Sequence, residues 1–89
     1  MEQLEREVYD FPTAIPLKVI GRNEERFEDA VLDLFRAHVV ETDIYEVASR
    51  LSSGDKYLSV TVTFVAQSRE HLDNVYRELS NSKRVMMVI

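Results

Sequence analysis

The chain has no cysteine and no tryptophan, and only two glycines and two prolines among its 89 residues. Without cysteine, neither a disulfide nor a thiolate metal site can staple the fold. Apolar packing must hold it, with or without a partner subunit. The same lack suits a reducing cytoplasm. Two glycines, Gly21 and Gly54, are too few for a loop that cradles phosphate. No apolar run approaches the roughly 18 residues of a membrane span. The opening Met1-Glu2-Gln3-Leu4-Glu5-Arg6 is too polar for a signal peptide. A cytoplasmic protein with no membrane partner is the expectation. Cations are also in deficit, with 11 Lys and Arg against 16 Asp and Glu, for a net charge of −5. Binding to phosphate backbones rests on clustered cations, so no nucleic-acid partner is expected. The length makes one domain, read as residues 13–89 behind an N-terminal arm at 1–12. Phe11 is expected to plug that arm against the body.

What is present is pattern, and residues 43–66 carry most of it. The run Leu58-Ser59-Val60-Thr61-Val62-Thr63-Phe64 alternates apolar and polar without a fault, which is a half-buried strand. A second strand-like run precedes it across Ser53-Gly54-Asp55-Lys56. A two-residue type II′ turn with Gly54 first would pair Ser53 with Lys56. Leu51 then faces Leu58, Val47 faces Val62 and Tyr45 faces Phe64, all on one side. Arg50 with Ser59, Ala48 with Thr61 and Glu46 with Thr63 fill the other. A slip of one residue would mix the two sets, so the pattern specifies the register.

The remaining elements follow from periodicity. Residues 15–20 alternate as a strand that Gly21 ends. Asn23 is placed as a helix N-cap, with Glu24 and Glu25 at the positive end. Phe27, Ala30, Val31, Leu34, Phe35 and His38 fall on one helix face. Ser68 can cap a second helix whose Leu72, Val75, Tyr76 and Leu79 share a face. Residues 85–89 form a last strand, apolar on both sides. The order β-α-β-β-α-β is the ferredoxin-like α+β fold. Right-handed crossovers give an antiparallel sheet in order 4-1-3-2 with both helices on one face. Ile15, Leu17, Val19, Val47, Leu51, Leu58, Val60, Val62 and Phe64 are the expected sheet contribution to the core. Lys18, Glu46, Arg50, Ser59, Thr61 and Thr63 would lie on an open, polar face.

Phe11-Pro12, Lys18-Val19-Ile20-Gly21, Ser52-Ser53-Gly54, Tyr57 with Ser59-Val60-Thr61-Val62-Thr63, and Tyr76-Arg77-Glu78-Leu79 together resemble the YbeD-like family of small bacterial proteins, a domain of unknown function. The resemblance spans residues 11–89. It implies a ferredoxin-like domain similar to the amino-acid-binding ACT regulatory domains. Family members are often encoded near lipoate-attachment genes, which implies a link to lipoate metabolism. No catalytic residue carries over. ACT domains tend to use a glycine after strand one to approach a ligand, which makes Gly21 and Asn23 the ligand-binding candidates here. Arg22-Asn23-Glu24-Glu25 departs from an amino-acid-binding signature, and its glutamates would repel an anion.

Other chemistries on this topology find little support. Acylphosphatases need a glycine-rich loop after strand one, and only Gly21 is there. RNA-recognition domains stack bases on central-strand aromatics, and the open face offers only Tyr57. His38 and His71 fall on different helices with no third metal ligand in view. No nucleophile–base pattern appears.

The leading expectation is a non-enzymatic interaction or regulatory module without cofactor or metal. It would dock a protein partner, or a second copy as a homodimer, through the open face or the edge of strand four. Met86 and Val88 are expected beside Ile20 and Lys18 as that surface, methionine being an adaptable contact residue. The alternative is an ACT-type sensor of an amino acid or carboxylic acid, with Gly21 and Asn23 near the effector.

Overall fold

The computed structural model describes residues 9–89. Its elements are β1 (Thr13–Arg22), α1 (Phe27–Arg36), β2 (Ile44–Leu51), β3 (Tyr57–Ala66), α2 (Arg69–Ser80) and β4 (Val85–Val88). The sheet runs β2-β3-β1-β4 and every pairing is antiparallel, which is the expected order. Residues 1–8 of the expected arm lie outside the described residues. Phe11, behind a cis Phe11–Pro12 bond, packs half-buried against the core.

The centre of the fold is the β1–β3 ladder. Ile15 pairs with Phe64, Leu17 with Val62 and Val19 with Val60, and all six are buried. Each such side chain contributes roughly 1.5–3 kcal/mol on leaving water. Phe27, Val31 and Phe35 of α1 and Leu72, Val75 and Leu79 of α2 close over that face. The Phe35 ring meets Phe64 edge-on at 5.4 Å. Ser68 caps α2 as expected, its hydroxyl accepting the His71 N–H at 3.0 Å. From β2, Ser49 Oγ donates to Glu28 Oε1 of α1 and ties the edge strand to the helix layer.

Several expectations need correction. Helix α1 starts at Phe27, behind Arg26 in a left-handed conformation, and no side chain caps it. Asn23 is engaged elsewhere: its N–H bonds Lys56 O and its Nδ2–H bonds Asp55 O, both at 3.0 Å. It braces the tip of the β2–β3 hairpin against the β1–α1 connection. That tip is a four-residue loop, not a two-residue turn. Ser52 N–H bonds Tyr57 O at 2.9 Å, and Gly54 sits at φ 83°, ψ 3°. Widening the loop by one residue on each side leaves the register intact, so Leu51 still faces Leu58 and Val47 still faces Val62. The register fails at the other end, where Ile44 replaces Tyr45 opposite Phe64. The bulge turns Tyr45 out to 66% exposure, and Ile44 packs on the core instead. Leu51, at the free end of an edge strand, is 46% exposed. His38 lies past the end of α1 and outside the core, and Val39 fills the core in its place.

β4 covers only half of β1. Lys18 and Ile89 exchange both backbone hydrogen bonds, at 3.1 and 2.8 Å. Such pairs recur at every second residue, so the next β1 donor position on that edge is Pro16. Proline has no N–H, and the exposed edge of β1 cannot continue the ladder there. The groove beside it holds about 400 Å³, between Ile15 and Leu17 of β1 and Leu72 and Tyr76 of α2.

Candidate functional site

The β1–α1 turn, where the ligand candidates fall, is filled. Gly21 is buried, and a Cβ there would lie 2.5 Å from the Phe27 ring and 2.6 Å from Arg84 O. Glycine is required at this position because two groups of the protein occupy the side-chain volume. Arg84 closes the turn from outside. Its guanidinium donates to Glu25 O at 2.9 Å, lies over the Phe27 ring at 5.8 Å and faces Glu24 at 3.8 Å. With Asn23 holding Asp55 O, both candidates have structural partners.

The open sheet face is different in kind. Residues that alternate with the core positions place Lys18 beside Thr61 and Ala48, and Ile20 beside Ser59 and Arg50. No described helix packs on this side. A depression of about 210 Å³ lies between β1, β3 and β2, and Lys18, Ile20, Arg50, Tyr57 and Ser59 line it. Lys18 and Ile20 are therefore brought together as expected.

The methionine and valine of β4 are rearranged. Val85 pairs with Gly21 and Met87 with Ile20, so Met86 is an extra residue in a bulge. The bulge inverts the parity of the strand. Val88 faces Val19 and packs on the core, which corrects its assignment to the open face. Met87, at 53% exposure, takes the place beside Ile20. Met86 is also exposed, but at the bulge near the strand end. Ile89, opposite Lys18, is exposed too. The signal in the sequence is the spacing of Val85 and Val88. Two core residues three apart do not fit a strand of period two without an inserted residue.

Charge is distributed unevenly. Between described residues, the ion pairs are Arg26–Asp29, Arg36–Asp33, Arg36–Glu41 and Arg84–Glu24. All belong to the helices and the turns that flank them. Glu41 accepts the Arg36 Nε–H at 2.9 Å and raises the Arg36 pKa, so that charge is fixed. No ion pair among described residues involves Lys18, Arg22 or Arg50, the three cations of the open face.

The two histidines form a clasp between the helices. The Gln67 N–H donates to His71 Nδ1 at 2.9 Å, which leaves the His71 proton on Nε2, facing His38 O at 2.7 Å. His38 Nε2 meets Glu78 at 2.9 Å. Among the described residues, no group of three His, Asp or Glu could hold a metal ion. No described helix is long and apolar enough to cross a membrane.

The geometry defines an ACT-like ferredoxin-like domain. The ACT domain of the GTP pyrophosphokinase of Chlorobium tepidum superposes with a TM-score of 0.67 at 12% identity, covering 85% of this chain and 94% of that one. A protein of H. pylori solved in solution, HP0495, superposes with a TM-score of 0.75, also at 12% identity, over 96% of this chain and 89% of its own. The family model described as a protein of unknown function, DUF493, matches residues 6–89. A UPF0250 protein of Neisseria meningitidis serogroup C is 40% identical over 80 residues, 90% of this chain and 88% of the relative. A UPF0250 protein of Chromobacterium violaceum is 34% identical over 89 residues, the full length of both. The chain belongs to the DUF493 family, the YbeD-like family that its motifs resemble.

Proposed function

We propose that this protein is a non-catalytic interaction module, regulatory in role, that docks a protein partner through its open sheet face. One observation carries the reading. Strand β1 and the adjoining edge strand β4 present Ile20 and Met87, with Ile89 opposite Lys18, on a face that no described element covers. Exposed apolar side chains grouped beside polar ones suit a contact surface. The outer edge of β4 is a weaker candidate, because it is four residues long and bulged, and both features blunt an edge. A second copy docked on the open face would make a homodimer. The cysteine-free composition is in keeping with work in the cytoplasm. The family resemblance makes proteins of lipoate metabolism the first partners to look for.

The test is affinity purification of the tagged chain from its own host, beside an Ile20→Asp/Met87→Asp variant. A partner retained by the wild type and lost by the variant is expected. A partner held equally by both would sink the assignment of the face. Sedimentation velocity of both proteins reads self-association.

A second reading follows from the likeness to an ACT domain. The domain would then sense an amino acid or carboxylic acid near Gly21 and Asn23. A thermal-shift screen tests it, since a ligand at 100 times its Kd stabilises by about 2.7 kcal/mol. No shift with any such acid counts against sensing.

A further inference from the structure

We infer that the segment taken up by the open face is acidic and amphipathic, with carboxylates on Lys18 and Arg50 and an apolar side chain between them over Ile20 and Tyr57. The inference rests on the docking reading above and names the chemistry of the partner. Its basis is a local reversal of charge. The chain carries −5 overall, yet the open-face positions of β1, β2 and β3 hold Lys18, Arg22 and Arg50 against Glu46 alone. Acids are abundant on the helix side, and Arg26, Arg36 and Arg84 there are paired with them, while Arg77 bonds the Asn74 side chain. The open-face cations are left without an ion pair among the described residues. A surface with unpaired cations around an apolar floor complements a segment of opposite charge.

Spacing and shape narrow the class. Lys18 lies on β1 and Arg50 on β2, two strands apart and two residues along, roughly 12 Å between backbones by strand spacing and rise. Two turns of a helix span about 11–12 Å, so carboxylates two turns apart can reach both cations. The residue one turn from each then falls over the depression. That depression holds about 210 Å³ and is open. Small ligands are usually enclosed by roughly 300–1,000 Å³, so a free carboxylic acid would stay largely in water here. Single-stranded RNA could neutralise the cations, but its bases need aromatic platforms. Tyr57 is the only aromatic at an open-face position of β1 or β3.

The test selects binders for the full chain from a random library of displayed peptides. Enriched sequences should carry carboxylates flanking an apolar residue. A synthetic copy should lose affinity about tenfold or more on Lys18→Glu/Arg50→Glu, and should weaken as salt rises. Both side chains are exposed, and the thermal midpoint of the double variant reports that it folds. Neutral or basic enriched peptides, no enrichment, or full binding by the charge-reversed chain would each overturn the acidic class. If those peptides are still lost on Ile20→Asp/Met87→Asp, the docking face survives and only its chemistry fails. Peptides indifferent to both variants overturn the two readings together. Tighter binding of random single-stranded RNA, competing for the same face, replaces the peptide with a nucleic acid. Self-association abolished by the charge reversal replaces it with a second copy.

Discussion

The two faces of β1 and β3 share one backbone and one ladder of hydrogen bonds, yet they differ in every other respect. Toward the helices stand Ile15, Leu17, Val19, Val60, Val62 and Phe64, all buried. Away from them stand Pro16, Lys18, Ile20, Ser59, Thr61 and Thr63, none of them buried. The backbone bonds therefore cannot be what separates the faces. Side-chain burial does, and it places the stability of the sheet on one side. The other side is left to be shaped by what it contacts. Substitutions that probe one face at a time can break or sharpen this contrast.

The largest effect belongs at Phe64, which is fully buried against Phe35 and His71. Phe64→Ala should cost about 3–5 kcal/mol in chemical denaturation. A domain of this size has only about 5–15 kcal/mol in total, so partial unfolding at room temperature is an acceptable result. A loss under about 1 kcal/mol would contradict the core assignment. Gly21→Ala comes next. Its methyl would enter the space of the Phe27 ring and the Arg84 carbonyl. Overpacking of this kind costs about 1–3 kcal/mol, or several degrees in Tm for each kcal/mol. If Gly21 instead served only to admit a ligand, the alanine variant would keep its stability.

The covered face was legible in the sequence because burial imposes a period. The fault-free alternation from Leu58 to Phe64 fixed the β2–β3 register, which survived even a wrong turn type, since a symmetric change in loop length moves no pair. Two bulges broke the reading. One turned Tyr45 outward and the other exchanged Met87 for Val88. A bulge adds a residue without changing composition, so period-two reasoning passes over it. Asn23 misled for another reason. Its type suits an N-cap, but its bonds reach Asp55 and Lys56, more than thirty residues away in sequence. The open face was legible only in outline. Its polar alternation was visible, while the lack of ion pairs between Lys18 or Arg50 and any described acid required the positions of those acids.

The histidine clasp should show an intermediate effect. His71→Ala removes the bonds to Gln67 N–H and His38 O, each worth about 1 kcal/mol. A loss of about 1–2 kcal/mol is expected, with faster amide exchange at Gln67. Unchanged exchange there would mean that the ring does not accept that bond.

The finest test uses adjacent residues. Val88 and Met87 are neighbours in β4, and the bulge sends them to opposite faces. Val88→Ala removes methyl groups that pack on the core and should cost about 1 kcal/mol. Met87→Ala removes a larger side chain, but one that is half in solvent, and should stay within about 0.5 kcal/mol. Size alone predicts the reverse order, because methionine loses more atoms than valine. Equilibrium denaturation of the two variants therefore separates burial from bulk. If Met87→Ala costs more in the isolated chain, either the bulge is misplaced or a second copy already buries Met87. Repeating the measurement at several protein concentrations distinguishes those cases, since only an association makes the loss depend on concentration.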